Sequence, residues 1–382
     1  MSRRHLIPLA CALAALVSAG AGVAASLDRQ GWDTSALVRM HDTLPLAKLA
    51  VHDQPTFKLR HESGFYDGAF FYAIARDPLA TEQAHHLLNE APYYWGHPAY
   101  GWLAWLASAG GRPRAVPDAL LAVGLLSIFV AGAAASLLAR AVGWSPWGGL
   151  VVALNPGLVF AVYSDTSESL GAALLLLALA AYVRGRRGWA IGLFAALCFV
   201  KEPLVLVPLA IAVWELWRTR TGRAAFVAAA VVPAALWWLY LRIHLGAFPF
   251  GLGGERLTAP LVGWKRALFD AALQSWNPGI DTAQLGQAAV ALIIVVGFAI
   301  IVAGIHALRL RNVVAPAFLA VAALYACITP NGVQYPKDLI RELALVLTLL
   351  PFVLAARASP VEPASARRYP RARLPSRRRS RS

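Results

Sequence analysis

Long apolar stretches separated by short polar ones run through most of the chain. A membrane-spanning helix needs about 20 mainly apolar residues, and the stretch from Leu6 to Ser26 meets this after a basic start at Arg3 and Arg4. The pattern therefore predicts an all-α fold, a polytopic transmembrane helical bundle of about ten spans. Nine further stretches, several shorter than a full span, follow the first: 118–139, 146–163, 168–183, 188–200, 203–217, 224–242, 287–308, 313–328 and 342–357.

The segment 27–116 is too polar to span as a whole, and it is predicted to form a large first extracytoplasmic loop. Within it, "YYWGHPAYGWLAWLASAGG" (93–111) is short and is interrupted by glycine and proline. Because Trp and Tyr favour the membrane–water boundary, this stretch is predicted to be an interfacial or re-entrant helix. The first apolar stretch fits either a retained anchor or a cleaved signal peptide, and residue 27 onward lies outside in both cases.

Composition supports a membrane protein. The chain is 58% hydrophobic and 14% charged, whereas soluble domains are about 45–50% apolar and about 25% charged. Residues 1–356 are predicted to form the membrane domain. The segment 357–382 holds nine arginines and one acid, so it supplies +8 of the +15 net charge. It is predicted to be a disordered cytoplasmic tail that lies on anionic lipid headgroups, with no nucleic-acid partner.

Loop charge fixes the predicted topology. The Arg-rich loops "RGRRG" (184–188), "WRTRTGR" (217–223) and "RLRN" (309–312) should be cytoplasmic, which predicts a multi-pass protein of the plasma (inner) membrane. Ionisable residues near span ends then collect on the opposite, extracytoplasmic side. Such groups mark functional cavities unless they lie at loop tips in water, and both interpretations stay open. These residues are Asp165, Glu168, Lys201, Glu202, Asp338 and Arg341.

The stretch "GFYDGAFFYAIARDPL" (64–79) sets Asp67 among aromatic residues. Asp-Gly is also a turn signal, so one interpretation of Asp67 is a backbone cap or turn residue. The alternative is a general base that the aromatics Phe65, Tyr66, Phe70, Phe71 and Tyr72 anchor at the membrane interface, where Gly68 allows close approach of a substrate to the backbone. Asp77, beside Pro78, is interpreted as a turn residue.

Four stretches together resemble the multi-spanning glycosyltransferases of the GT-C type, most of all the bacterial cell-surface glycopolymer formation proteins distantly related to the GPI mannosyltransferases. The resemblance covers most of residues 60–350. The stretches are "GFYDGAFFYAIARDPL" (64–79), "LNPGLVFAVYSDTSESLGAALLLLALAAYVRGRRG" (154–188), "LCFVKEPLVLVPLAI" (197–211) and "WWLYLRIHLGAFPF" (237–250).

The resemblance implies sugar transfer from a polyprenyl-phosphate donor to an extracytoplasmic glycan or lipid acceptor. It implies that Asp67 is the catalytic residue and that Lys201 and Arg341 face the donor phosphate. His97 stands where the family has arginines. The predicted donor- or acceptor-binding residues are Tyr66, Gly68, His97, Asp165, Glu168, Lys201, Glu202 and Arg341. No cofactor is firmly implied and no metal site is predicted, although a divalent cation stays open.

Two other classes of protein remain open. A transporter or flippase for lipid-linked glycans would have paired charges in mid-span and internal repeats. The charges of this chain crowd one membrane face instead, and no clear repeat is present. A non-catalytic scaffold of a glycan-assembly complex would use the aromatic loop as a partner surface.

Overall fold

The structure is a computed structural model that describes residues 3–61, 67–250, 258–275, 280–329 and 336–356. Tyr66 and the predicted tail at 357–382 lie outside these residues. Within the described part the fold is helical, without a β-strand and with one isolated bridge between His41 and Arg60. The predicted all-α class is therefore confirmed.

The helices of the described residues are numbered in chain order. The first half of the chain holds α1 (Arg3–Asp28), α2 (Pro45–Asp53), α3 (Gly68–Arg76), α4 (Ala91–Trp95), α5 (Ala99–Ala107), α6 (Val116–Ala141), α7 (Leu150–Ala153), α8 (Pro156–Val162) and α9 (Glu168–Val183). The second half holds α10 (Arg187–Cys198), α11 (Leu206–Trp217), α12 (Thr221–Ala228), α13 (Val232–His244), α14 (Val262–Ser275), α15 (Ile280–Ala307), α16 (Val314–Ala326), α17 (Pro336–Glu342) and α18 (Ala344–Ala355).

Apolar helices able to span a membrane are present. Among the described residues, four are long and apolar enough by length and composition: Leu6–Asp28, Pro113–Ala141, Thr221–His244 and Gly286–Ala307. Four shorter apolar helices accompany them: Glu168–Val183, Arg187–Cys198, Val314–Ala326 and Ala344–Ala355. The membrane class thus has structural support, whereas the number of about ten spans is not confirmed.

Small residues let α1 pack closely against α6. A Cβ at Gly132 of α6 would lie 2.7 Å from the Cys11 carbonyl oxygen and 3.0 Å from the Ala12 Cα, both in α1. Small residues at helix interfaces of this kind allow the backbones to approach, which is the usual way that apolar helices associate in lipid. The α1–α6 contact is therefore fixed by glycine and alanine.

The predicted span 146–163 is not one continuous helix. A proline disfavours the helical conformation of the residue before it, and Asn155 is extended (φ −88°, ψ 103°) just before Pro156. The Asn155 side-chain oxygen caps α8 by accepting from the backbone N–H of Gly157 at 3.0 Å. Its amide nitrogen donates to the Ala344 carbonyl at 2.8 Å and to Thr348 Oγ1 at 3.0 Å. Asn155 thereby joins α8 to α18.

The segment 27–116 packs onto the bundle. Its helix α3 is buried from Gly68 to Ala75, so Phe70, Phe71 and Tyr72 belong to the protein core. The expectation that the aromatic run anchors this loop at the membrane boundary is wrong for these three. Hydrophobic pattern alone does not distinguish the two settings, because both bury aromatic rings.

Side chains of α13 hold this segment in place. The indole N–H groups of Trp237 and Trp238 donate to the carbonyls of Trp95 (2.7 Å) and Gly96 (3.1 Å). The Tyr240 hydroxyl donates to the Leu79 carbonyl at 2.9 Å. These bonds satisfy carbonyls at the ends of short helices and turns, which would otherwise lack partners, and they position the residues around His97.

Candidate functional site

Asp67 directly precedes α3. Its carbonyl accepts from the backbone N–H groups of Phe70 (2.9 Å) and Phe71 (3.0 Å), as expected at a helix start. Its carboxylate makes no capping hydrogen bond. Instead, Asp67 Oδ2 accepts from Arg341 Nη1 at 2.9 Å, across 274 residues of chain. The backbone of Asp67 thus starts a helix, while its side chain serves a long-range contact.

Two cations and three carboxylates form one network at the ends of α3, α9, α10 and α17. Lys201 Nζ donates to Glu168 Oε1 at 2.9 Å and to Glu342 Oε2 at 3.4 Å. Arg341 Nη2 donates to Glu342 Oε1 at 2.5 Å, and Arg341 Nε lies 4.0 Å from Glu168 Oε1. Buried charges are tolerated only when they are paired in this way.

Lys201 is charged in this setting. Burial by itself would lower the pKa of the Lys201 amine, but the carboxylates of Glu168 and Glu342 outweigh burial and raise it well above the usual 10.5. The loop position of Lys201, between α10 and the 3-10 helix Glu202–Val205, places the amine at the helix ends. The Lys201 amine is therefore a fixed positive charge inside a network in which three carboxylates face two cations.

The three carboxylates of the network are not equivalent. The side chains of Glu168 and Glu342 are 1% and 6% exposed, and each contacts both cations. The Asp67 side chain is 32% exposed, and Arg341 is its one ion-pair partner among the residues that the structure describes. Asp67 is therefore the most accessible carboxylate of this network.

His97 and Glu202 form a second pair beside the network. His97 Nδ1 lies 2.9 Å from Glu202 Oε1, and both residues are buried. Burial would lower the pKa of His97, but the Glu202 carboxylate outweighs it, and the pKa is raised above 6.5. Asp67 acts in the same direction, and Lys201 opposes it. His97 thus carries positive charge over a wider pH range than a free histidine.

These side chains surround one cavity of about 130 Å³. Polar and apolar groups share its wall, so it suits a ligand with a charged head and an apolar part. Its described lining residues are Asp67, Tyr93, Tyr94, His97, Lys201, Glu202, Pro203, Leu204, Leu324, Tyr325, Ile328, Thr329 and Glu342. The structure thus brings together Asp67, His97, Lys201 and Glu202, with Arg341 bound to Asp67.

Other predicted site residues lie behind the cavity wall. A Cβ at Gly68 would come within 2.7 Å of the Val38 carbonyl oxygen and 3.0 Å of the Ser164 carbonyl oxygen. The glycine therefore permits close packing of protein backbone, in contrast to the predicted approach of a substrate. Glu168 does not line the cavity, but its carboxylate accepts a hydrogen bond from the Lys201 amine. Tyr66 falls outside the described residues.

Asp165 is fully buried and does not line the cavity. It has a left-handed backbone conformation (φ 50°), and neither side-chain oxygen has a hydrogen-bond partner among the described residues. Burial raises the pKa of Asp165 well above 3.8, with Arg39 acting in the opposite direction. Because Asp165 is buried outside the cavity, its position does not support a direct contact with donor or acceptor.

Sequence reasoning missed Glu342 and the tyrosines of the cavity wall, which are Tyr93, Tyr94 and Tyr325. Glu342 contacts both cations of the network. The sequence did contain a signal for Glu342, because it is an ionisable residue that directly follows Arg341 at the predicted edge of a span. The Tyr94 ring stacks on Phe70, with ring centroids 3.5 Å apart, which links the cavity wall to the buried face of α3.

No metal site is formed by the described residues, which contain no group of three or more His, Cys, Asp or Glu side chains placed to hold an ion. Around the cavity, the carboxylates contact Lys201 and Arg341 instead. In this arrangement the described carboxylates of the network are paired with cationic side chains.

Compared with known proteins, the chain matches no protein-family model, no curated protein and no solved structure. The resemblance to GT-C glycosyltransferases therefore rests on the sequence motifs.

Proposed function

We propose that the protein is an integral membrane glycosyltransferase that moves a sugar from a polyprenyl-phosphate donor to a glycan or lipid acceptor. In this reaction the acceptor hydroxyl oxygen attacks the anomeric carbon of the donor sugar. The bond from that carbon to the phosphate oxygen breaks, and its electron pair leaves with the polyprenyl phosphate. The hydroxyl proton passes to Asp67.

The observation that carries the proposal is the unequal exposure of the paired carboxylates. Asp67 is partly exposed in the cavity and has one cationic partner, whereas Glu168 and Glu342 are buried between two cations. A general base must reach the proton that it accepts. Asp67 and Glu342 both line the cavity, but Asp67 is the only one of the three with a substantially exposed side chain, at 32% against 1% for Glu168 and 6% for Glu342.

Positive charge beside Asp67 suits a phosphate leaving group. Negative charge grows on the phosphate oxygen as its bond to the sugar breaks, and a preorganised cation stabilises that charge. The Lys201 amine lines the cavity and is 22% exposed. His97 lines the same cavity, and its raised pKa favours the charged form. Leu204, Leu324 and Ile328 supply the apolar part of the wall, which suits the first isoprene units of a lipid donor.

The proposed orientation puts the cavity on the extracytoplasmic side of the inner membrane, with the Arg-rich loops in the cytoplasm. All the cavity charges lie at helix ends, and a donor in the bilayer would reach them with its headgroup at the membrane boundary. This arrangement lets a lipid-bound donor and a water-soluble acceptor meet.

The proposal is tested with the full chain in proteoliposomes and a panel of polyprenyl-phosphate sugars. We expect release of polyprenyl phosphate together with a glycosylated acceptor. Lys201→Met should weaken donor use strongly, whereas Lys48→Met, an exposed lysine of α2 outside the cavity, should match wild type. Lys201→Arg keeps the charge and should retain part of the activity, which separates charge from folding.

Two results would contradict a transferase. Movement of the intact donor across the bilayer without bond cleavage would identify a transporter. Glycan formation that survives Asp67→Asn in a complex with partner proteins would identify a scaffold.

A further inference from the structure

Three arginines surround a second cavity, of about 400 Å³, near the end of α1. This cavity shares no described lining residue with the one that holds Asp67. Its described lining residues are Gly22, Ala25, Ser26, Arg29, Gln30, Arg39, Arg60 and Tyr163. None of these is acidic, so the described wall carries three positive charges.

The arginines come from three separate stretches, and the fold holds two of them firmly. Arg39 ends the 3-10 helix Thr34–Val38 in a left-handed conformation (φ 53°). Arg60 is fixed through its backbone, since its N–H donates to the Met40 carbonyl at 2.9 Å and its carbonyl accepts from Asp42 at 3.0 Å. Arg29 follows the last residue of α1.

The Arg39 guanidinium is buried and packs against aromatic rings. Arg39 is only 9% exposed, and its Cζ lies 5.2 Å and 5.5 Å from the ring centroids of Phe160 and Tyr163. Stacking on aromatic faces orients a guanidinium and compensates part of its lost hydration. Arg39 is therefore a buried cation packed against aromatic rings, unlike an arginine on an open surface.

Arg29 and Arg60 have the capacity to bind a ligand. Within the described chain, no side-chain hydrogen bond or ion pair engages either guanidinium. Like charges that face one cavity raise each other's energy, and an anion between them removes that repulsion. Guanidinium groups bind phosphate oxygens through paired hydrogen bonds.

We propose that this arginine cavity binds a phosphate-type anion at the membrane–water boundary. The first candidate span ends at Asp28, one residue before Arg29, which in the proposed orientation puts the cavity where lipid headgroups meet water. Ser26 and Gln30 supply additional hydrogen-bond donors. A phospholipid headgroup and free phosphate carry the same chemistry, and the experiment separates them.

The test uses the purified full chain in a nonionic maltoside detergent. The first arm titrates inorganic phosphate against chloride at constant ionic strength, by calorimetry and by the melting temperature. The second arm adds phosphatidylglycerol, with a diacylglycerol of the same acyl chains as the phosphate-free comparison. We expect saturable binding in at least one arm, together with a higher melting temperature, because a ligand that binds the folded state stabilises it.

Variants locate the binding. Arg29→Gln and Arg60→Gln should each weaken binding at least tenfold, and exposed Arg29 can be changed with little effect on folding. Arg114→Gln, an exposed arginine outside the cavity, should bind as wild type does. Binding in the first arm identifies free phosphate, and binding in the second arm alone identifies a lipid headgroup.

Absence of saturable binding in both arms would overturn the proposal, as would equal weakening in Arg114→Gln. Both arms measure binding, so the result does not depend on the proposed sugar transfer.

Discussion

Asp67→Asn separates the proposed chemistry from folding. The substitution keeps the size of the side chain and leaves an oxygen that accepts from Arg341, but it removes the charge and the base. The Asp67–Arg341 pair joins a side chain that is 32% exposed to one that is 6% exposed. Arg341 keeps its contact with Glu342, and the amide oxygen of asparagine can still accept from it, so no buried charge is left unpaired and we expect a loss of about 1 kcal/mol.

The expected loss of activity is much larger. A positioned general base contributes about 10²–10⁴ in rate, which corresponds to about 2.7–5.4 kcal/mol of activation free energy. A protein with about 5 kcal/mol of folding stability stays more than about 99% folded after losing 1 kcal/mol. Unfolding therefore cannot account for the predicted fall in turnover.

The assay is initial-rate sugar transfer in proteoliposomes, with donor-lipid binding and melting temperature measured on the same samples. Asp53→Asn is the matched control, because Asp53 pairs with Arg76 at the other end of α3 and does not line the cavity. It receives the same chemical change in the same kind of contact. Wild-type turnover in Asp67→Asn would refute the base assignment, and an equal loss in Asp53→Asn would show a structural effect.

Three further predictions concern residues that support the site. Asp77→Ala should lower the free energy of unfolding by about 3–5 kcal/mol, because buried Asp77 accepts from Thr81, Glu82 and His85. Asp77→Asn should destabilise the fold less than Asp77→Ala and stay nearly fully active. Denaturant unfolding in micelles measures both stabilities, and wild-type stability of Asp77→Ala would contradict the prediction. Asn155→Ala should lower the free energy of unfolding by about 1–3 kcal/mol and should reduce sugar transfer because α18 is displaced. Asn89→Ala, a change at an exposed asparagine, should leave both quantities unchanged in the same unfolding and transfer assays. The His97–Glu202 contact raises the pKa of His97 above its unfolded value of about 6.5, so its stabilising contribution is complete below that pH and is lost as pH rises through the folded-state pKa. Melting temperatures measured against pH should therefore show wild type and His97→Gln drawing together at alkaline pH, and a constant difference would count against the pairing.

The helical class followed from the apolar stretches, because a run of about 20 apolar residues has few other stable forms. The break at Asn155–Pro156 was not anticipated, although proline restricts the residue before it. Burial of Phe70, Phe71 and Tyr72 was also missed. A dense aromatic run satisfies a protein core and a membrane boundary equally well, and tertiary packing decides between them.

Within the site, polarity at the span edges singled out Lys201, Glu202 and Arg341, and the fold brings these residues near Asp67. Their pairing could not be derived, since it depends on how α17 lies against α9. Asp165 carried the same sequence signal, yet the fold buries it behind Gly68. Charge near a span edge indicates a polar cavity, but it does not say which residues face that cavity.

The spread of the charge network along the chain has a consequence for biosynthesis. Glu168 and Lys201 are 33 residues apart and can pair early, whereas Asp67 waits for Arg341, 274 residues later. At about 5–20 residues per second, ribosomes need roughly 14–55 seconds for that interval. Throughout it, the nascent chain holds an incomplete site in the membrane. A chain that terminates before α17 lacks both Arg341 and Glu342, so it leaves Asp67 without its cationic partner while Glu168 and Lys201 stay paired.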